Sequence, residues 1–98
     1  MALLETKEIE AALASLPGWV RRGPAIEKQF TLPTFADAVS ALVRLAFDAE
    51  AADHHPDVTL SHRRVTIGYW THSEGGLTAK DFEGARAAER AFAHPHTR

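Results

Sequence analysis

The chain has 98 residues, 45% of them hydrophobic, which suits one globular domain (residues 1–98) with a modest core and makes self-association a ready source of added stability. The absence of cysteine excludes disulfides and thiolate metal sites, and a formal charge of −2 gives no basic face for nucleic acid. The first residues become charged too early for a secretory leader and no apolar run approaches membrane-spanning length, so a soluble, cytoplasmic protein is expected.

Taken in order, the chain predicts a first helix over 6–16, capped by Thr6, with Ile9, Ala12, Leu13 and Leu16 on one stripe and Pro17-Gly18 as its stop. Residues 19–22 and 25–32 read as strands about Gly23-Pro24. Ile26, Phe30 and Leu32 share a face that Lys28 interrupts, near an edge or by reaching out along its stem, and Trp19 reads as a core anchor. Thr34 with Asp37 starts a long second helix to about Ala52. Phe35, Val39, Leu42, Ala46 and Ala49 make its expected core stripe. Val43 and Phe47 lie off that stripe, so the helix is expected to cover a partner as well as the core.

Residues 57–60 and 64–71 read as a second hairpin, with Val65, Ile67 and Tyr69 on one face. Thr78 and Asp81 cap a last helix whose inner face carries Phe82, Ala85, Ala88 or Glu89, and Phe92. A polar tail from His94 is expected to fray. The order αββαββα predicts an α+β fold: a four-stranded antiparallel sheet with three helices on one face.

The chemistry concentrates between Glu50 and Asp81. Pro56 disfavours the helical region for His55, so the second helix should stop at His54-His55 and present both imidazoles at its end. His72 closes the following hairpin just before Gly75-Gly76, and a hairpin packed back on the helix brings it near the pair. Imidazole titrates nearest neutrality, so three converging imidazoles point to general acid–base work. Asp81 serves as a helix cap and, in the same reading, orients His72. Glu50 and Asp53 sit in the last helical turn, where the dipole slightly disfavours carboxylates, a hint of a site role. His62, His94 and His96 read as surface residues. Adjacent helical side chains point about 100° apart and the segment has no HxxxH or HxH spacing, so no metal is expected.

The run His54-His55-Pro56, a strand, Thr71-His72, Gly75-Gly76-Leu77-Thr78 and Asp81 resembles the pterin-4a-carbinolamine dehydratases, small proteins also known as dimerisation cofactors of a homeodomain transcription factor. The resemblance implies dehydration of 4a-hydroxytetrahydropterin to the quinonoid dihydropterin, with no cofactor. By position, His54 and His72 would be the acids for a hydroxyl that can leave from either face of the ring. His55 would hold the pterin and assist proton removal, with Glu50, Asp53 and Asp81 as substrate-binding carboxylates. It also implies a homodimer or homotetramer through the helix around Thr34–Ala52. Where the family commonly has Tyr-Asn this chain has His62-Arg63, and Val58 replaces an aromatic found in some members. Both changes are expected to act on substrate affinity. Two alternatives stand beside it: a non-catalytic dimerisation or assembly cofactor acting through the second helix, and a metal-dependent hydrolase built on the same histidines.

Overall fold

The computed structural model describes residues 2–93, which fold in the order α1 (Thr6–Ala14), β1 (Val20–Arg22), β2 (Ala25–Thr31), α2 (Phe35–Ala52), β3 (Asp57–Ser61), β4 (Arg64–Tyr69), a 3-10 turn (His72–Glu74) and α3 (Ala79–Phe92). The strands form one antiparallel sheet in the order β1-β2-β4-β3. The expected α+β architecture is therefore observed. The tail from His94 lies outside the described residues. No helix among the described residues is long and apolar enough to cross a membrane.

Register follows the two-residue alternation. Ile26 pairs with Tyr69, Phe30 with Val65 and Lys28 with Ile67, which puts the apolar side chains of β2 and β4 on the face the helices cover. Onto that face α3 sets Phe82, Ala85, Ala88 and Phe92, the last stacked on Phe30 at 4.4 Å. β1 pairs only with Ala25–Glu27, so Lys28 lies just past its end, where that side of β2 is an open edge. The Lys28 ammonium lies 4.8 Å from the centroid of the Phe30 ring and bonds Glu89 at 2.8 Å and the Pro17 carbonyl at 3.1 Å. Glu89 also accepts from the indole N–H of Trp19 at 2.9 Å, so one carboxylate ties α3 to the start of the sheet.

Three local expectations are corrected. The cap of α1 is Glu5, whose backbone N–H donates to Glu8, and Thr6 is the first helical residue. The helix ends at Ala14, although Leu16 still enters the core. The buried stripe of α2 is Ala38, Ala41, Leu45 and Ala49, not the one beginning at Phe35. Both stripes have helical spacing. The alanine-rich one wins because small side chains let α2 approach the Gly84, Ala88 and Ala91 side of α3, where the Arg44 guanidinium also bonds the Ala91 carbonyl at 2.9 and 3.2 Å. Phe35, Val43 and Phe47 consequently face solvent, Phe47 at 73% exposure, and edge strand β3 leaves Val58 and Leu60 exposed beside them in sequence order.

Candidate active site

At the end of α2 the backbone reverses through Asp53, a non-glycine residue in the left-handed region (φ 50, ψ 44) whose N–H bonds the Ala49 and Glu50 carbonyls. Pro56 prevents the helix from resuming, and β3 begins at Asp57. That reversal sends the two neighbouring imidazoles to different surroundings. His54 turns inward, with 14% of its side chain exposed, and its Nε2 meets Asp81 Oδ1 at 2.7 Å. His55 stays outside, its Nε2 2.5 Å from Glu50 Oε2, with 55% and 74% of the two side chains exposed.

Asp81 is fully buried, and its position explains how the chain tolerates a carboxylate there. Oδ2 accepts from the Thr78 backbone N–H at 2.9 Å and from Thr71 Oγ1 at 2.8 Å, while Thr71 and Thr78 also bond each other at 2.8 Å. The cap of α3 and the end of the hairpin thus hold the carboxylate, and the carboxylate holds His54. A carboxylate can only accept, so Nε2 of His54 carries a proton and Nδ1 is the nitrogen left to exchange one. Asp81 does not reach His72, the imidazole it was expected to orient. It is fully buried, with one oxygen engaged by His54 and the other by Thr71 and the Thr78 N–H.

His72 opens the 3-10 turn after β4, a turn fastened by the bridge between Thr71 and Gly76 and by Gly75 in the left-handed region. His54, His55 and His72 all line one cleft of about 410 Å³, together with Asp53, Asp57, Pro56, Thr71, Ser73, Trp70 and Lys80. The convergence expected of the three imidazoles is therefore present. Asp53 borders them, whereas Glu50 serves His55 from outside the lining. Trp70 and Lys80 were not anticipated. The alternation of β4 was the available signal for Trp70, since it turns that side chain away from the face on which Tyr69 is buried.

A second hollow of about 430 Å³ between α2 and α3 shares His54 and Lys80 with the first and is floored by Ala49, Ala52, Gly84 and Ala87. Tyr69 borders it. Burial pushes the phenol above its usual range, with Asp48 and Asp81 adding to the effect, so this hydroxyl stays neutral. Only the first cleft gathers several imidazoles. Among the described residues no three His, Asp or Glu side chains are grouped to hold a metal ion. His62 and Arg63 form the β3–β4 turn, where Arg63 Nη1 bonds the Leu32 carbonyl at 3.0 Å. Ser61 pairs with Arg64 at that turn and Asp57 with Gly68 near the cleft, so the turn occupies the opposite end of the hairpin and does not line this cleft.

Comparison with known proteins agrees with this geometry. The family model for pterin 4 alpha carbinolamine dehydratase matches residues 2–91. A homologue from Roseiflexus castenholzii named after this dehydratase is 51% identical over 82 residues, covering 84% of this chain and 88% of the relative. Another, from Mycolicibacterium smegmatis, is 42% identical over 90 residues, covering 92% and 96%. A crystal structure described as a transcriptional coactivator/pterin dehydratase from Brucella melitensis superposes with a TM-score of 0.87 at 34% identity, over 92% of this chain and 98% of the other. With nearly the whole chain matched in sequence and in fold, the protein belongs to the pterin-4-alpha-carbinolamine dehydratase family.

Proposed function

We propose that this chain dehydrates 4a-hydroxytetrahydropterin to the quinonoid dihydropterin in the cytoplasm, by histidine general acid–base catalysis. The observation that carries the reading is the meeting of His54, His55 and His72 in one cleft, with His54 tied to a buried carboxylate. An imidazolium gives its proton to the C4a hydroxyl, the C–O bond breaks and water leaves. The N5–H proton passes to a base as the N5–C4a double bond forms, so the step needs no oxidant and no metal. His54 and His72 serve as acids. His55, steadied by Glu50, holds the pterin and assists removal of the N5 proton, and Asp53 accepts N–H bonds from the ring.

The direct test follows dehydration of 4a-hydroxytetrahydropterin by ultraviolet absorbance for the unaltered protein, His54→Ala and His72→Ala, with and without chelator. Acceleration that survives chelator and falls in both variants is expected. No acceleration over buffer by the unaltered protein would sink the reading.

A second role is favoured by the outer face of α2. Phe35, Val43 and Phe47 form an apolar stripe that no other described residue buries, and the structural relative's description includes coactivation. We propose that this face of the helix around Thr34–Ala52 binds further copies of the chain to give a homodimer or homotetramer, and that it is the surface a protein partner would use if the scaffold also serves as an assembly cofactor.

A further inference from the structure

Tyr69 is the last residue of β4 and Trp70 follows it, just before the bridge between Thr71 and Gly76. Each lies against a different imidazole of the cleft. The Tyr69 ring is nearly parallel to His54, with centroids 5.8 Å apart and planes at 20°. The Trp70 indole lies against His72 at 3.8 Å and 34°. The two histidines that the dehydratase reading makes acids are therefore each packed on one residue of a single dipeptide at the end of β4.

The contrast with Trp19 shows that Trp70 is not simply core. Trp19 is buried and its indole N–H is spent on Glu89. Trp70 is half-buried and packs against the core, but it also lines the cleft, and its N–H has no acceptor among the described residues. On the other side, Gly84 is what admits Tyr69: a Cβ there would stand 2.5 Å from the ring. The tyrosine thus has a place shaped for it beside His54.

Resting on the dehydratase reading, we infer that Tyr69 and Trp70 are the positioning residues of the two acids, Tyr69 for His54 and Trp70 for His72, and that these two separate ring contacts hold one acid for each face of a bound pterin. A hydroxyl at C4a can project from either face of the ring, so each aromatic–imidazole pair serves one C4a epimer. Trp70 also offers its free indole N–H to an acceptor of the substrate that His72 protonates.

The test uses the two C4a epimers of the substrate separately. Trp70→Ser should slow about tenfold the same epimer that His72→Ala slows, the rate equivalent of the stronger aromatic pairings, and leave the other within about twofold. Trp70→Phe should restore most of the loss. Tyr69→Leu should slow the epimer that depends on His54, and Tyr69→Phe should not, because the ring and not the hydroxyl meets the imidazole. An independent readout is the proton NMR spectrum of His72, whose ring signals should move when Trp70 is replaced and stay put when Tyr69→Phe is made. Equal slowing of both epimers by Trp70→Ser, or no slowing, in a chain with native circular dichroism would overturn the inference while the unaltered protein still turned over substrate. Inactivity of the unaltered protein would instead overturn the dehydratase reading. If Tyr69→Leu does not fold, the Trp70 variants decide alone, since that side chain stands at the cleft.

Discussion

Gly84→Ala measures how tightly the Tyr69 ring is held. The position is in the interior of α3, where alanine is better than glycine by about 1 kcal/mol on helix propensity alone. The added Cβ, however, would stand 2.5 Å from Cε1, 2.7 Å from Cζ and 2.8 Å from Cδ1 of Tyr69. Carbon atoms pack at about 3.5–4.0 Å, so the ring or the helix must retreat by roughly 1 Å. The ring has little room: it is 1% exposed and lies between Trp19 at 6.4 Å and His54 at 5.8 Å. Overpacking of this kind costs about 1–3 kcal/mol, and so close an approach to a rigid ring belongs at the upper end. After the propensity gain, a net loss of about 2 kcal/mol is expected, a fall in Tm of about 8 °C or more for a domain of this size. Thermal unfolding should be followed at one fixed protein concentration, because the proposed self-association would make Tm depend on it. Adding Tyr69→Leu should recover stability relative to the sum of the single changes, by about 1 kcal/mol or more. A Gly84→Ala chain that unfolds at or above the unaltered temperature would refute the packing account.

Other outcomes can be stated more briefly. Asp81→Ala strands Thr71, the Thr78 N–H and Nε2 of His54 in the interior and should cost about 3 kcal/mol in urea unfolding as well as slowing turnover; a loss below about 0.5 kcal/mol would contradict the buried network. Tyr69 is the sole tyrosine, so its phenolate absorbance should stay absent as the folded chain passes pH 10 and appear on unfolding. The folded chain keeps a proton there that the unfolded chain releases. The resulting stabilisation is complete below about pH 10 and is lost as pH climbs from there towards the raised folded value; phenolate appearing near pH 10 without unfolding would contradict this. Phe47→Glu should shift the sedimenting species to lower mass, and an unchanged mass would remove α2 as the assembly surface.

Element order, strand pairing and the meeting of three histidines were legible because they depend on periodicity and on strong local signals. Pro56, the Thr34 and Thr78 caps and the apolar alternation of β4 each point to one local answer. The buried stripe of α2 was misread because two apolar stripes of equal spacing compete there, and only the closeness of α3 favours alanine over phenylalanine. The partner of Asp81 was misread for a similar reason. Thr71, one residue before His72, reaches the carboxylate, while His54 arrives from 27 positions away after a left-handed turn that periodicity does not reveal. Trp70 went unnoticed because half of an alternating strand is ordinarily solvent-facing, and nothing local marks which outward residue borders a cleft.

The left-handed Asp53 separates two neighbouring histidines into different dielectric surroundings, and that makes them separable by ionic strength. The contact of His55 with Glu50 lies in water, where mobile ions screen it over about 10 Å at 0.1 M salt and less at higher concentration. The contact of His54 with Asp81 is far more shielded, the carboxylate fully buried and the imidazole only 14% exposed. Added salt should loosen the hold on the outer imidazole while leaving the inner one in place, so a simple titration with sodium chloride distinguishes the work of two residues that share a peptide bond.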